Sequence, residues 1–267
     1  MSPYAVHRGN GPVVLGIPHA GTWLPEPVLA QLNTHGRALA DTDWHVDRLY
    51  DGLLPDATVV RANFHRYLID ANRDPSGSSL YPGQSTTALV PTTDFDGAAI
   101  WSQAPSEEDI AARLEAWHRP YHAALAAELE RVRALHGVAL LYECHSIRSR
   151  APLLFEGQLP DLNVGSNSGR SCAPALELQL VETLQEQRRY SVAVNARFKG
   201  GWATRHYGQP RRGVHAIQLE ITQRCYLRTE APPWHYDEQL AEPLRELLAR
   251  ALAGLAALAP QLAANPE

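Results

Sequence analysis

The 267 residues suffice for one large α/β domain with a sizeable core, and are short for two independent enzyme domains. The net charge is −5, 45 % of residues are hydrophobic, and no Lys/Arg run occurs, which argues against nucleic acid or anionic lipid as partners. Cys144, Cys172 and Cys225 are odd in number and lack CxxC spacing, which argues against a disulfide framework or a cysteine zinc knuckle.

Met1-Ser2-Pro3-Tyr4 shows no basic stretch leading into an apolar one, as a signal peptide would. No apolar run reaches the roughly 18 residues that a membrane span needs. The cytoplasm is the expected compartment, and the oligomeric state is not legible. In chain order, residues 13–17 are a short apolar run ended by Pro18 and predict a buried strand. Residues 43–54 carry Val46, Leu49, Tyr50 and Leu53 at helical spacing. Further strands are expected at 57–61 and 67–70. The stretch 76–104, rich in Gly, Pro, Ser and Thr, predicts a long loop suited to be an active-site lid. Ser106 and Asp109 form a capping-box pattern opening a helix that runs to about 136, with a break expected at Pro120. Strands are expected again at 138–144 and 214–221, and helices at 173–187 and 237–258.

Strands separated by helices predict an α/β fold: a mainly parallel or mixed central sheet with helices on both faces, in a single domain spanning 1–267. Ligands of such sheets gather at the carboxyl ends of strands. The notable polar residues fall there: His19, Asn72 and Arg73, His145, and Glu220.

HExxH, GxSxG, P-loop and GxGxxG motifs are all absent. His118 and His122 have metal-ligand spacing on a helix, but Pro120 lies between them and packing is the better reading. The other candidates are dispersed, as in catalytic zinc sites with three protein ligands. His19 lies in Pro18-His-Ala-Gly21, a tight loop after a strand. Glu143 and His145 alternate with Cys144 and so share a strand face, with Cys144 read as a small buried hydrophobe. Asp41, Asp43 and Asp47 exceed what capping one helix requires, and any of them is an acidic-ligand candidate. Glu220 sits inside an apolar strand, where an acid is costly unless paired or used as a general base. Arg73, after Asn72, suits a bidentate grip on a carboxylate. Arg148, Arg170, Lys199, Arg205 and His206 form a second basic set in polar, Gly-rich loops and hint at a small anionic ligand.

The chain resembles the N-formylglutamate amidohydrolases, the deformylases of bacterial histidine degradation. The resemblance rests on Pro18-His-Ala-Gly21, Asp41-Thr-Asp-Trp-His45, Arg48-Leu-Tyr50, Asn72-Arg73, His145-Ser-Ile-Arg-Ser149, Arg197-Phe-Lys-Gly-Gly201, Thr204-Arg-His-Tyr-Gly208 and His215-Ala-Ile-Gln-Leu-Glu220. These stretches span nearly the whole chain in one order. The resemblance implies a layout similar to zinc-dependent exopeptidases and aspartoacylases, with one zinc per chain, other divalent metals being alternatives. It implies His19, Asp43 and His145 as ligands, with Asp43 chosen from the acidic cluster. It further implies Glu220 as base, Arg148 near the oxyanion, and Asn72, Arg73 and the second basic set around the two carboxylates of N-formylglutamate. Two positions depart from the expected pattern: Thr22 stands three residues after the first histidine, where Glu is usual, and Glu143 stands where Asp is expected. The alternatives are a deacylase or amidase for another N-acyl amino acid or peptide, and a non-catalytic carboxylate-binding protein of the same fold.

Overall fold

A computed structural model describes residues 1–79 and 86–263. Among the described residues, one sheet holds β1 (Tyr4–His7), β2 (Val13–Ile17), β3 (Thr58–Ala62), β4 (Ala139–Ile147), β5 (Leu162–Gly165), β6 (Val192–Val194) and β7 (Val214–Thr222). Their order is β1-β3-β2-β4-β7-β5-β6. The central strands β3, β2, β4 and β7 run parallel. At one edge β1 pairs antiparallel with β3, and near the other β5 pairs antiparallel with β7 and parallel with β6. The sheet is therefore mixed, as expected.

The helices are α1 (Glu26–Gln31), α2 (Val46–Tyr50), α3 (Glu107–Arg113), α4 (Arg119–His136), α5 (Pro174–Gln185), α6 (Trp202–Tyr207) and α7 (Glu238–Leu258). Alternation along the strands sends side chains into two cores. Leu15, Tyr142, Leu219 and Ile221 pack with α2, α5 and α7 on one face, whereas Val14, Leu141 and Ala216 pack with Tyr121, Leu125 and Leu129 of α4 on the other. Burial on both faces is why these strands read as continuous apolar runs. Leu244, Leu248, Leu252 and Leu255 line the buried stripe of α7. Each contributes on the order of 1.5–3 kcal/mol by leaving water, and truncating one to Ala costs about 2–5 kcal/mol.

The capping box forms: Ser106 Oγ accepts from the Asp109 N–H at 3.1 Å, and Asp109 Oδ2 accepts from the Ser106 N–H at 2.9 Å. The break at Pro120 takes the form of a π-helical turn over Leu114–His118, joining α3 to α4. A proline without an N–H beside a clashing ring favours this widening.

Two expected elements differ. The helix expected over 43–54 is only Val46–Tyr50, because His45 takes a left-handed conformation at φ 59° and leaves Asp43 in the preceding turn. No strand forms at 67–70. The chain turns there, with the Leu68 N–H donating to His65 O and the Arg73 N–H to Asp70 O. The apolar Tyr67, Leu68 and Ile69 are buried by that turn rather than by a ladder. Within the expected loop 76–104, residues 80–85 lie outside the described residues; the described remainder holds only isolated bridges.

Candidate active site

The carboxyl ends of β2, β4 and β7 bring the central polar residues together. His19 follows β2, His145 lies on β4, and Glu220 lies opposite it on β7, paired in register. Asp43 enters from the turn before α2, its N–H donating to His19 O at 3.1 Å. His19, Asp43 and His145 are all buried, and their ligand-capable atoms lie within 4.8 Å of one another. Asp43 Oδ2 is 3.8 Å from His19 Nδ1 and 3.2 Å from His145 Nδ1. Tetrahedral ligands at zinc bond lengths stand about 3.3 Å apart. The donor set therefore fits such an ion after small adjustments.

The surroundings fit as well. His19 Nε2–H donates to Asp70 Oδ1 at 2.7 Å, and Glu143 Oε2 lies 3.4 Å from His145 Nε2. A carboxylate behind each imidazole turns its other nitrogen towards a metal. Both Glu143 oxygens are fully buried without a hydrogen bond. Burial, helped by Arg66, pushes the His19 pKa down to about 4, so it is the neutral imidazole that ligation requires. Burial opposes a charge on His145 too, but Asp43, Glu143 and Glu220 outweigh it and push the pKa up to about 10. That rise reports a local excess of negative charge, which a divalent cation would answer.

The other acids of the cluster stand apart. Asp47 pairs with Arg61 at 2.6 Å on the surface. Asp41 is buried, accepting from the Phe95 N–H at 3.2 Å with Arg148 3.7 Å away.

A small cavity of about 60 Å³ opens beside the triad. Its lining includes Glu220, Asn72, Gln218, Ser146 and three arginines among the described residues: Arg66, Arg73 and Arg197. Burial, reinforced by Asp43, raises the Glu220 pKa to about 7 against the pull of His145, Arg66 and Arg73. A carboxyl poised near neutrality is suited to take and return a proton.

Asn72 is held by the protein itself. Its Nδ2 lies 3.0 Å from His145 Nε2 and its Oδ1 accepts from the Ala203 N–H at 2.9 Å. Gly201 is required beside it, since a Cβ there would stand 2.2 Å from Asn72 Nδ2. Arg73 donates to Thr87 O, Thr87 Oγ1 and Asn72 O at 2.7–3.1 Å. His118 and His122 buttress this loop, donating to Arg73 O at 3.1 Å and Ala71 O at 2.8 Å. Their packing role is therefore specific: they flank Asn72.

The second basic set is not gathered around the cavity. Arg148 binds Asp96 at 2.8 Å, Arg170 is exposed and donates to Asn167 O, and Arg205 donates to Gly200 O at 2.8 Å. His206 is exposed and stacks on Trp202 with ring centroids 4.3 Å apart. Lys199 is half-buried, in the same loop as Arg197, and its O accepts from the Asn167 N–H.

Arg66, Asp70 and the cavity-lining Arg197 escaped the sequence reading as site residues. Arg66 is buried, donates to His19 Nδ1, and lies 3.6 Å from Asp43 and 4.0 Å from Asp70. It presses the same nitrogen that a metal would take, and its Nε has no partner. Asp70 anchors both His19 and the Asn72 N–H. The sequence signal of Arg66 and Asp70 was a cation and an anion four apart in the otherwise apolar His65-Arg-Tyr-Leu-Ile-Asp70.

The family model for N-formylglutamate amidohydrolase matches residues 11–227. The N-formylglutamate deformylase of Pseudomonas putida is 44 % identical over 254 residues, 94 % of each chain. That of Pseudomonas aeruginosa is 44 % identical over 253 residues, again 94 % of each. The crystal structure of N-formylglutamate amidohydrolase from Ralstonia eutropha JMP134 is similar with a TM-score of 0.79 at 26 % identity, covering 95 % of this chain and 97 % of that one. The chain belongs to the N-formylglutamate amidohydrolase family.

Proposed function

We propose that this protein hydrolyses N-formyl-L-glutamate to formate and L-glutamate, as a cytoplasmic step of histidine degradation, using one divalent metal held by His19, Asp43 and His145. The observation that carries the reading is the buried His19–Asp43–His145 triad beside Glu220 in an arginine-lined cavity. Zinc is the metal that suits this donor set, and when bound it acidifies water and polarises the formyl oxygen.

The chain's own residues account for the rest. Glu220 removes the proton of the attacking water and returns it to the leaving amine nitrogen. The tetrahedral intermediate carries a negative oxygen, and Arg66 is the cation best placed to meet it, lying against His19 and Asp43. Arg148 acts indirectly: through Asp41 and Asp96 it steadies the turn that brings Phe95 to the cavity. Asn72 orients His145, and Arg73 grips the α-carboxylate. The whole chain works as one domain.

The test is release of the acyl acid by purified protein, formate from N-formyl-L-glutamate and N-formyl-L-aspartate and acetate from N-acetyl-L-glutamate. N-formylglutamate should give the highest kcat/KM. Turnover of N-acetylglutamate alone would reassign the enzyme as a deacylase of longer acyl groups, and binding without turnover would make it a carboxylate-binding protein.

A further inference from the structure

We propose that Arg197 sets the substrate class, by receiving the side-chain carboxylate of the acyl amino acid. The inference rests on the N-formylglutamate reading above and assigns a role that the reading leaves open.

Such a substrate brings three negative groups to the cavity: the α-carboxylate, the side-chain carboxylate and the oxygen that becomes anionic during hydrolysis. Left unpaired, buried charges of this kind are expensive. Among the described residues, Arg66, Arg73 and Arg197 line the cavity. Arg66 is packed against His19 and Asp43, where the reacting carbonyl must lie. Arg73 is set in polar surroundings by Thr87 and Asn72, next to the triad.

Arg197 differs in origin and in setting. It comes from the loop between β6 and α6, at the opposite edge of the sheet from the β3 side that supplies Arg66 and Arg73. Two carboxylates that diverge from one α-carbon call for cations that approach from different sides. Its Nε donates to Leu154 O at 2.7 Å, which fixes the direction of the guanidinium. The guanidinium carbon lies 5.3 Å from the Phe198 ring centroid. Leu154, Phe198, Ile147 and Phe95 line the cavity and belong to one apolar cluster. An apolar wall ending in a cation matches the two methylenes and terminal carboxylate of a glutamate side chain. The planar fork of arginine also binds both carboxylate oxygens, which a lysine cannot copy.

The experiment compares N-formyl-L-glutamate with N-formyl-L-glutamine, which has the same shape without the charge. Wild-type protein, Arg197→Met and Arg197→Lys are assayed for formate release, with thermal melting as a folding check. The kcat/KM ratio of glutamate over glutamine substrate should fall about 10²–10³-fold in Arg197→Met, chiefly through KM, and by an intermediate factor in Arg197→Lys. If Arg197→Met does not fold, the ratio in Arg197→Lys decides. A ratio unchanged in both variants, even with both rates lowered, overturns the assignment while leaving the deformylase reading intact. Wild-type protein that turns over neither substrate overturns both.

Discussion

Gly16→Ala is expected to damage metal binding from a strand that does not line the cavity. Gly16 on β2 pairs in register with Glu143 on β4. A Cβ at position 16 would stand 1.9 Å from Glu143 Oε1 and 2.9 Å from its Cδ, where ordinary contacts begin near 3.4 Å. The carboxylate must therefore retreat by about 1.5 Å, roughly the length of one methylene. It has nowhere open to go, since Glu143 is fully buried. Overpacking of this kind costs about 1–3 kcal/mol, which for a chain of this size lowers Tm by several degrees. Retreat also breaks the 3.4 Å approach of Glu143 Oε2 to His145 Nε2. Losing a carboxylate behind a ligating histidine typically weakens metal binding about 10–100-fold. Glu143→Asp shortens the side chain and makes room for the new methyl, so Gly16→Ala/Glu143→Asp should recover most of the lost stability. A double-mutant cycle read by urea unfolding should give a coupling of about 1–2 kcal/mol. Zinc affinity of the four proteins is measured by competition with a chromogenic chelator. Strict additivity, or a Gly16→Ala protein with normal stability and zinc affinity, would refute the reasoning.

Glu220→Gln keeps the shape and removes the base, so kcat should fall about 10²–10⁴-fold with metal content intact; a near-normal kcat would move the base elsewhere, with Glu143 the first alternative. Arg66→Lys should lower kcat about 10²-fold with a smaller change in KM, and a loss confined to KM would make Arg66 a substrate anchor instead. Asp161 offers a test away from the chemistry. Burial alone would raise its pKa, but the Ser191 N–H and O–H, Cys225 and Arg224 hold it below the usual carboxylate value. A depressed folded pKa stabilises above the unfolded value of about 3.9 and loses that contribution as pH falls through the folded one. The stability gap between wild type and Asp161→Asn, measured in urea, should thus be flat near neutrality and shrink below about pH 4; a gap that grows on acidification contradicts the assignment.

The parts of the fold that were legible in the sequence share one cause. Strands β2, β4 and β7 are buried on both faces, so they stand out as apolar runs, and their ends expose His19, His145 and Glu220 as polar intruders. Strands β1, β5 and β6 were missed because they hold only three or four residues and lie at or near the sheet edges, where ladder bonds rather than side-chain patterning define them. The 67–70 stretch misled for the opposite reason: Tyr67, Leu68 and Ile69 are as buried as strand residues, yet a turn buries them. Among the charged candidates, loops supply no periodicity from which to read direction. Nothing in the sequence alone tells that Arg197 faces the cavity while Arg170 and His206 face solvent, or that Asp43 turns inward while Asp47 pairs with Arg61.

The central claim is that His19, Asp43 and His145 hold a metal on which formylglutamate hydrolysis depends. Elemental analysis of purified protein, combined with formate release before chelation, after chelation and after stoichiometric zinc is returned, tests it most directly. The account predicts about one divalent metal per chain, loss of turnover with the metal, recovery on return of zinc, and neither metal nor turnover in His19→Ala or His145→Ala. Full turnover by metal-stripped protein would contradict it.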